Sequence, residues 1–446
     1  MKFVLRLLAA CVTLLLPQIA LAQTTERTIA RLFWQDMSDQ SLRWGDLKQA
    51  GTNWKLDGSK VPGFPSLDSE KQMLVQMQES AELLLTGVHD TEDGKYQSGW
   101  VAMESGVTRQ AHGDHFHWQY ASPPSVRRAQ LDDQQGNPAH VYNYDGSFIL
   151  ANDKKDGLTF VTPAAIRKQT SEDPARFLSA GGGHITIAAV NNRVAYSTWI
   201  DRAGDNMGRV DVVGLASDLG TGYSFHLPTG GIHGATAAAG KVFFAPTDGI
   251  CWVEADLKLS QSAASVKVHH LSLGVDAEGN PKRTGAFTTH RNLVLFTTGR
   301  GAQPELCMVD ASSPKPVVHK LALATADGTS VTSPVCMRTR TGEDLAFIFE
   351  ESTTGQQTEK LHVISLDPNR DGNTSDAKLT RSMPVGPSLI EGHSGHHELS
   401  PVGRNLVALT NPGDGSLWVI STSDWQVMAR LSTGGNPSRL LAVGGN

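Results

Sequence analysis

Two short runs concentrate the side chains in this sequence that could do metal chemistry. One is AHGDHFH, which supplies His112, Asp114, His115 and His117; the other is EGHSGHHE, with His393, His396 and His397 between Glu391 and Glu398. Imidazole nitrogen and carboxylate oxygen are donors that zinc accepts, usually four around the ion. Glycines between donors let a tight loop turn several side chains towards one point. No Cys-x-x-Cys pair occurs, so the donor set suits a site of histidines with one carboxylate rather than a structural zinc knuckle.

Positioning such donors falls to a repeat. Short β-branched and aromatic runs bounded by Gly, Pro, Asn and Asp recur along nearly the whole chain. A unit of strand, polar turn, strand, turn and third strand repeats about every fifty residues. It begins near Met73, Ala139, Gly183, Ile232, Gly285, Ser330 and Gly395. Periods of roughly 40–50 residues with several strands each point to propeller blades. The fold class is therefore all-β, a single β-propeller over residues 23–446, with eight blades and seven as the alternative count. The C-terminal run SRLLAVGG from Ser438 reads as the inner strand of a last blade, which the N-terminal strands RLFWQD and SLRWGDL complete. Short helical turns are expected in Ser66–Gln78 and Pro163–Ala175, and an exposed loop from Asp367 to Asp376.

With the repeat laid out, His140, His184, His233 and either His396 or His397 fall at the start of inner strands. Each precedes the next strand, at Phe148, Val194, Val242 or Leu406, by eight to ten positions. Equivalent positions in different blades converge on the axis, so four blades carry imidazoles to one end of the channel. The two His-rich runs are expected to join them. A lone histidine at a strand start is most often a polar residue with a satisfied hydrogen bond, and either run alone could be a solvated loop tip. Convergence through an independent alignment favours a shared site. His89, His226, His269, His270, His319 and His362 fall in outer strands or loops and read as structural, and His290 as a surface residue.

Other chemistries find little support. Gly181-Gly182-Gly183 and Gly230-Gly231 precede strands and read as backbone turns, not phosphate cradles, and no G-x-S-x-G elbow occurs. Because His-rich propeller mouths also serve redox chemistry, a copper- or zinc-dependent enzyme on this scaffold is one alternative, and a metal-free interaction platform another. Lys2, Arg6, the apolar Leu7–Leu16 stretch and Ala20-Leu21-Ala22 form a signal peptide over residues 1–22. The competing lipobox at Leu8–Cys11 has too short an apolar run before it. Losing Lys2 and Arg6 takes the formal charge from −6 to −8, and no basic patch remains for nucleic acid. No later stretch approaches the roughly 18 apolar residues of a membrane span. Cys251, Cys307 and Cys336 then remain: one disulfide is open to them, or three buried thiols.

At several of these positions the sequence resembles the AztD-type periplasmic zinc metallochaperones. The resemblance rests on HGDH at His112–His115, PAHVYNYDGS around His140, GGGHITIA at His184 and GIHGATAAAGKVFF at His233. EGH at His393 and the closing NPSRLLAVGGN add to it. It implies a periplasmic β-propeller that binds zinc and passes it to the zinc-specific solute-binding protein of an ABC importer. It further implies ligands drawn from His112, Asp114, His115, His140, His184, His233 and His393. Two features depart from the family. QTTERTIA, at Gln23–Ala30, has no histidine where family members carry a His- and acid-rich segment, and SVTSPVC at Ser330 lacks another. His117, His396 and His397 are extra donors. The expectation is a monomeric, non-enzymatic carrier of one or two zinc ions. Mass spectrometry of the mature protein should find Gln23 at its N-terminus; a diacylated Cys11 would overturn the cleavage site.

Overall fold

The computed structural model describes residues 25–92, 97–113, 115–168, 174–299, 303–392 and 394–445. The signal peptide expected over residues 1–22, Asp114 and His393 lie outside them. The described residues form eight sheets of four or five strands in a ring, an eight-bladed β-propeller, with one further two-stranded hairpin. The seven-bladed alternative is thereby excluded. Among the described residues no helix is long and apolar enough to cross a membrane.

Blade 3 shows how the sequence builds the unit. Its strands are Pro138–Tyr144, Ser147–Asn152, Gly157–Val161 and Ala175–Ser179, paired in that order from the axis outwards. Every residue of Ser147–Asn152 is buried, because a strand in the middle of a blade is covered on both faces by neighbouring blades. Val141, Phe148 and Leu150 pack on Leu83, Leu85 and Trp100 of blade 2. On the opposite face Ile149, Ala151 and Leu158 meet Ile187, Ala189 and Ala195 of blade 4. The outermost strand, ARFLS, has no fully buried residue. Lacking an apolar run, this fourth strand escapes sequence reading, which finds three per unit.

The two expected helical turns are both short. Within Ser66–Gln78 there is a single turn, in which Asp68 O accepts the Lys71 and Gln72 amides at 3.1 and 2.7 Å, before the chain enters the inner strand Gln72–Ser80 of blade 2. Pro163–Arg167 is a short helix, with Thr162 accepting a hydrogen bond from the Ala165 amide at its start. Cys251, Cys307 and Cys336 are all free thiols, the first two buried.

Pro437–Val443 is the inner strand of blade 1 and pairs antiparallel with Arg27–Asp36, with Ser41–Ala50 and Asn53–Leu56 outside it. The ring thus closes between chain ends, as expected. Leu32, Trp34 and Leu47 complete the core shared with Val402, Ala408 and Val419 of blade 8. Asp36, fully buried, fastens this joint. It accepts hydrogen bonds from the Asn436 and Ser38 amides at 2.9 and 3.0 Å and faces Arg43 Nε at 2.6 Å. Gly435 is required beside it, since a Cβ there would collide with the Asp36 carboxylate.

Antiparallel pairing gives the ring two distinct ends. The upper end carries the starts of the inner strands and the turns between second and third strands. The lower end carries the turns between first and second strands and between third and fourth. Asp36→Ala removes the acceptor of the Asn436 amide and leaves Arg43 only its longer contact with Asp39, at 3.4 Å. It should lower global stability in urea unfolding by about 3–5 kcal/mol; a loss below about 1 kcal/mol would show that the joint does not depend on it.

Candidate metal site at the upper mouth

The inner strands of blades 3, 4 and 5 bring His140, His184 and His233 together at the upper mouth. The rings of His184 and His140 have centroids 4.8 Å apart, those of His184 and His233 5.0 Å. His140 Nε2 and His184 Nε2 are 3.0 Å apart. Two imidazole nitrogens on one tetrahedral zinc lie about 3.3 Å apart, given Zn–N distances of about 2.0–2.1 Å, so small ring movements would suit an ion. The rings now meet each other rather than a common centre. Among the described residues no group of three or more His, Cys, Asp or Glu side chains already encloses an ion position.

Each ring is held from behind through its other nitrogen. His184 Nδ1 lies 2.8 Å from Asp153 Oδ2, in the upper turn that follows Ser147–Asn152. Asp153 Oδ1 accepts the Ile185 amide at 3.0 Å, which fixes the carboxylate. His233 Nδ1 lies 3.0 Å from the Gly285 carbonyl and donates to it, leaving Nε2 with its lone pair. Burial holds His233 below the usual imidazole range, against the Gly285 hydrogen bond, so it is neutral and able to ligate at neutral pH. His140 Nδ1 faces the Gln76 amide nitrogen at 3.1 Å. Backing of the kind given by Asp153 and the Gly285 carbonyl orients metal-binding histidines and is worth about 10–100-fold in affinity.

Two tyrosines line the channel wall beneath the rings. Period-two alternation puts Tyr142 and Tyr144 on the same side of their strand as His140, and the three rings follow one another with centroid spacings of 5.8 and 6.0 Å. The Tyr144 hydroxyl donates towards Ile187 O at 2.9 Å and lies 3.4 Å from Ala235 O, carbonyls on the inner strands of blades 4 and 5.

Of the two His-rich runs, one lies at the lower end and the described part of the other at the upper. His112 and His117 sit in the hairpin Thr108–His112 and His115–Gln119, both exposed, with rings 5.6 Å apart. This hairpin links the third and fourth strands of blade 2, which places it at the lower end. Arg109 Nε pairs there with Glu82, in the turn between the first two strands, at 2.5 Å. An inner strand of seven residues spans roughly 20 Å, so the hairpin does not meet the upper histidines. His115 belongs to its second strand, and Asp114 lies outside the described residues.

His396 and His397 are at the upper end but face Glu351. His396 Nδ1 and His397 Nδ1 lie 2.6 and 3.1 Å from the two oxygens of that buried carboxylate. His397 Nε2 meets the Gly386 carbonyl at 3.0 Å, so both nitrogens of this buried ring are occupied. His396 borders a cleft of about 540 Å³ lined by Glu359, Gln357 and Ser388. His393 lies outside the described residues. His290, expected at the surface, is instead largely covered and hydrogen-bonded to Asp344 at 2.8 Å. Buried His362 meets Glu350 and Ser382, a structural role as expected.

Asp153, Gln76, Tyr144 and the Gly285 carbonyl escaped sequence reading. The repeat contained a signal for Asp153, since the turn after a second strand shares the upper end with the next inner-strand start. Gln76 sits in a bulge of its strand, which shifts the face its side chain occupies, and no pattern announces it.

No protein-family model matches the chain, and a comparison with curated proteins gives no match. Among solved structures the chain is similar to AztD from Citrobacter koseri in two structures, one of them apo. Each is 17% identical and covers 94% of this chain and 99% of that one, with TM-scores of 0.63 and 0.64. What is shared at that identity is the propeller fold.

Burial pushes the Glu351 carboxyl up, but hydrogen bonds from His396 and His397 outweigh it and hold it at about 2. The Glu351 hydrogen bond raises His396 above its usual 6.5, against burial. The carboxylate's contribution is complete above its ordinary 4.5 and lost as pH falls from there through about 2; at most it is roughly 3 kcal/mol. The imidazolium's share is complete below 6.5 and lost as pH rises through its folded value. Both shifts describe one interaction, intact between those limits. Thermal melts should show Glu351→Gln most destabilising at about pH 5–6, with the gap narrowing on either side; a gap independent of pH would contradict this pairing.

Proposed function

We propose, starting from a fold shared with AztD, that this protein is a periplasmic zinc carrier. His140, His184 and His233 take the ion at the upper mouth. The protein then delivers it directly to the zinc-specific solute-binding protein of an ABC importer. The observation that carries this reading is the meeting of three imidazoles from successive blades, two of them with Nδ1 engaged by Asp153 and the Gly285 carbonyl. The sequence resemblance, at the same three histidines, supplies the compartment and the partner.

A carried ion needs donors that an acceptor can replace one at a time, whereas a catalytic zinc needs a water held beside an acid–base group. One third of the His184 side chain is exposed, so an acceptor can approach the donors from the mouth. The lower hairpin, with His112, Asp114, His115 and His117, would be a separate second site, in keeping with one or two ions. The missing histidine-rich segment at Gln23–Ala30 should make hand-over slower than in relatives that carry it.

Metal analysis after mild purification should find zinc without visible colour. His184→Ala and His233→Ala should each weaken zinc binding at least about 10-fold, since each removes one of about four donors. His226→Ala, at an outer strand, should not. Zinc-loaded protein mixed with the apo solute-binding protein should lose metal faster than to a chelator of equal affinity. Transfer no faster than dissociation, at any partner concentration, would mean storage rather than delivery; a blue or violet absorbance would mean copper.

A further inference from the structure

The hydrogen bonds behind the three histidines do not prepare them alike. The Val141 amide donates to Gln76 Oε1 at 3.2 Å, and a backbone N–H can only donate. The orientation of the Gln76 amide is therefore set by the backbone, not by a choice between look-alike atoms. Its Nε2 then faces His140 Nδ1 at 3.1 Å as a donor, so that Nδ1 is the accepting nitrogen and the ring proton sits on Nε2. That Nε2–H points at His184 Nε2, 3.0 Å away. His184 accepts there and donates its own Nδ1–H to Asp153 Oδ2. Donors and acceptors match along the whole chain from Val141 through Gln76, His140 and His184 to Asp153. His233, with Nδ1–H on the Gly285 carbonyl, has Nε2 ready.

We infer that Gln76 is a latch: it holds His140 in the tautomer that cannot ligate and, through it, covers the lone pair of His184. Asp153 is the opposing positioning residue, holding His184 in the tautomer that can ligate. The inference rests on the zinc reading above. Taking up an ion requires the His140 proton to leave Nε2 for Nδ1 and the Gln76 amide to turn, which strips the Val141 amide of its acceptor. His140 is then the last donor to engage and the first to let go. The reverse movement returns the Gln76 bond to Val141 and the His140 bond to His184, so release is assisted by bonds within the site.

Two substitutions separate this latch from ordinary support. In Gln76→Glu both carboxylate oxygens accept, one from the Val141 amide and one from His140 Nδ1–H. His140 is thereby moved to the ligating tautomer and its bond to His184 is abolished. Zinc affinity should rise about 10-fold or more. In Asp153→Asn the amide oxygen stays on the Ile185 amide and the amide nitrogen turns to His184 Nδ1. That forces the proton onto Nε2, and affinity should fall about 10–100-fold. Gln76→Met, which adds no charge, should still raise affinity, by less. The tautomers themselves are read without metal, by long-range proton–nitrogen correlation on full-length protein with 15N-labelled histidine. His140 should appear as Nε2–H in the wild type and Nδ1–H in Gln76→Glu; His184 and His233 should be Nδ1–H. Wild-type His140 found as Nδ1–H overturns the latch, as does weaker binding in Gln76→Glu and Gln76→Met alike. Absence of zinc binding by the wild type would instead remove the function proposed above, whatever the tautomers.

Discussion

A four-stranded sheet whose middle strands are apolar on both faces has to be covered on both, and a row of such sheets always leaves two faces bare. Closure into a ring is the arrangement that leaves none. Everything else in this molecule depends on that constraint. The cores lie between blades, so each blade is rigid only because its neighbours are present. Rigid neighbours are what bring the starts of three inner strands within hydrogen-bonding reach of one another. The histidines belong to a geometry that no single blade could hold.

How much of this was legible in the sequence depended on how strongly burial patterns the chain. Inner and middle strands are covered on both faces and read as apolar runs, so the blades and the closure by SRLLAVGG with RLFWQD were visible. Outer strands such as ARFLS face solvent and carry no such run. In the site the same logic held for His140, His184 and His233, because a repeat fixes where a strand begins. It did not carry over to the hairpin of His112 and His117, where density of donors stood in for position. A loop between third and fourth strands belongs to the lower end, however many histidines it carries. Histidines packed against a buried Glu351 are spoken for. Gln76 was beyond reading, because a bulge breaks the alternation by which a side chain's face is inferred.

Donor count and donor readiness differ at the upper mouth. Three imidazoles lie together, yet the hydrogen bonds behind them present two lone pairs and one proton, and the proton covers one of the lone pairs. Affinity in such a site is set as much by an amide and a carboxylate that would never touch the ion as by the rings that would.

The joint at Asp36, Gly435 and Asn436 has a consequence in time. Arg27–Asp36 is made some 400 residues before the strand it pairs with, Pro437–Val443. Seven blades can stack as they appear, but the first waits with an apolar edge until the eighth is finished. A chain made from its N-terminus is thus kept from closing the ring early by its own topology. Completion of the ring reports, in a single event, that all eight blades are present.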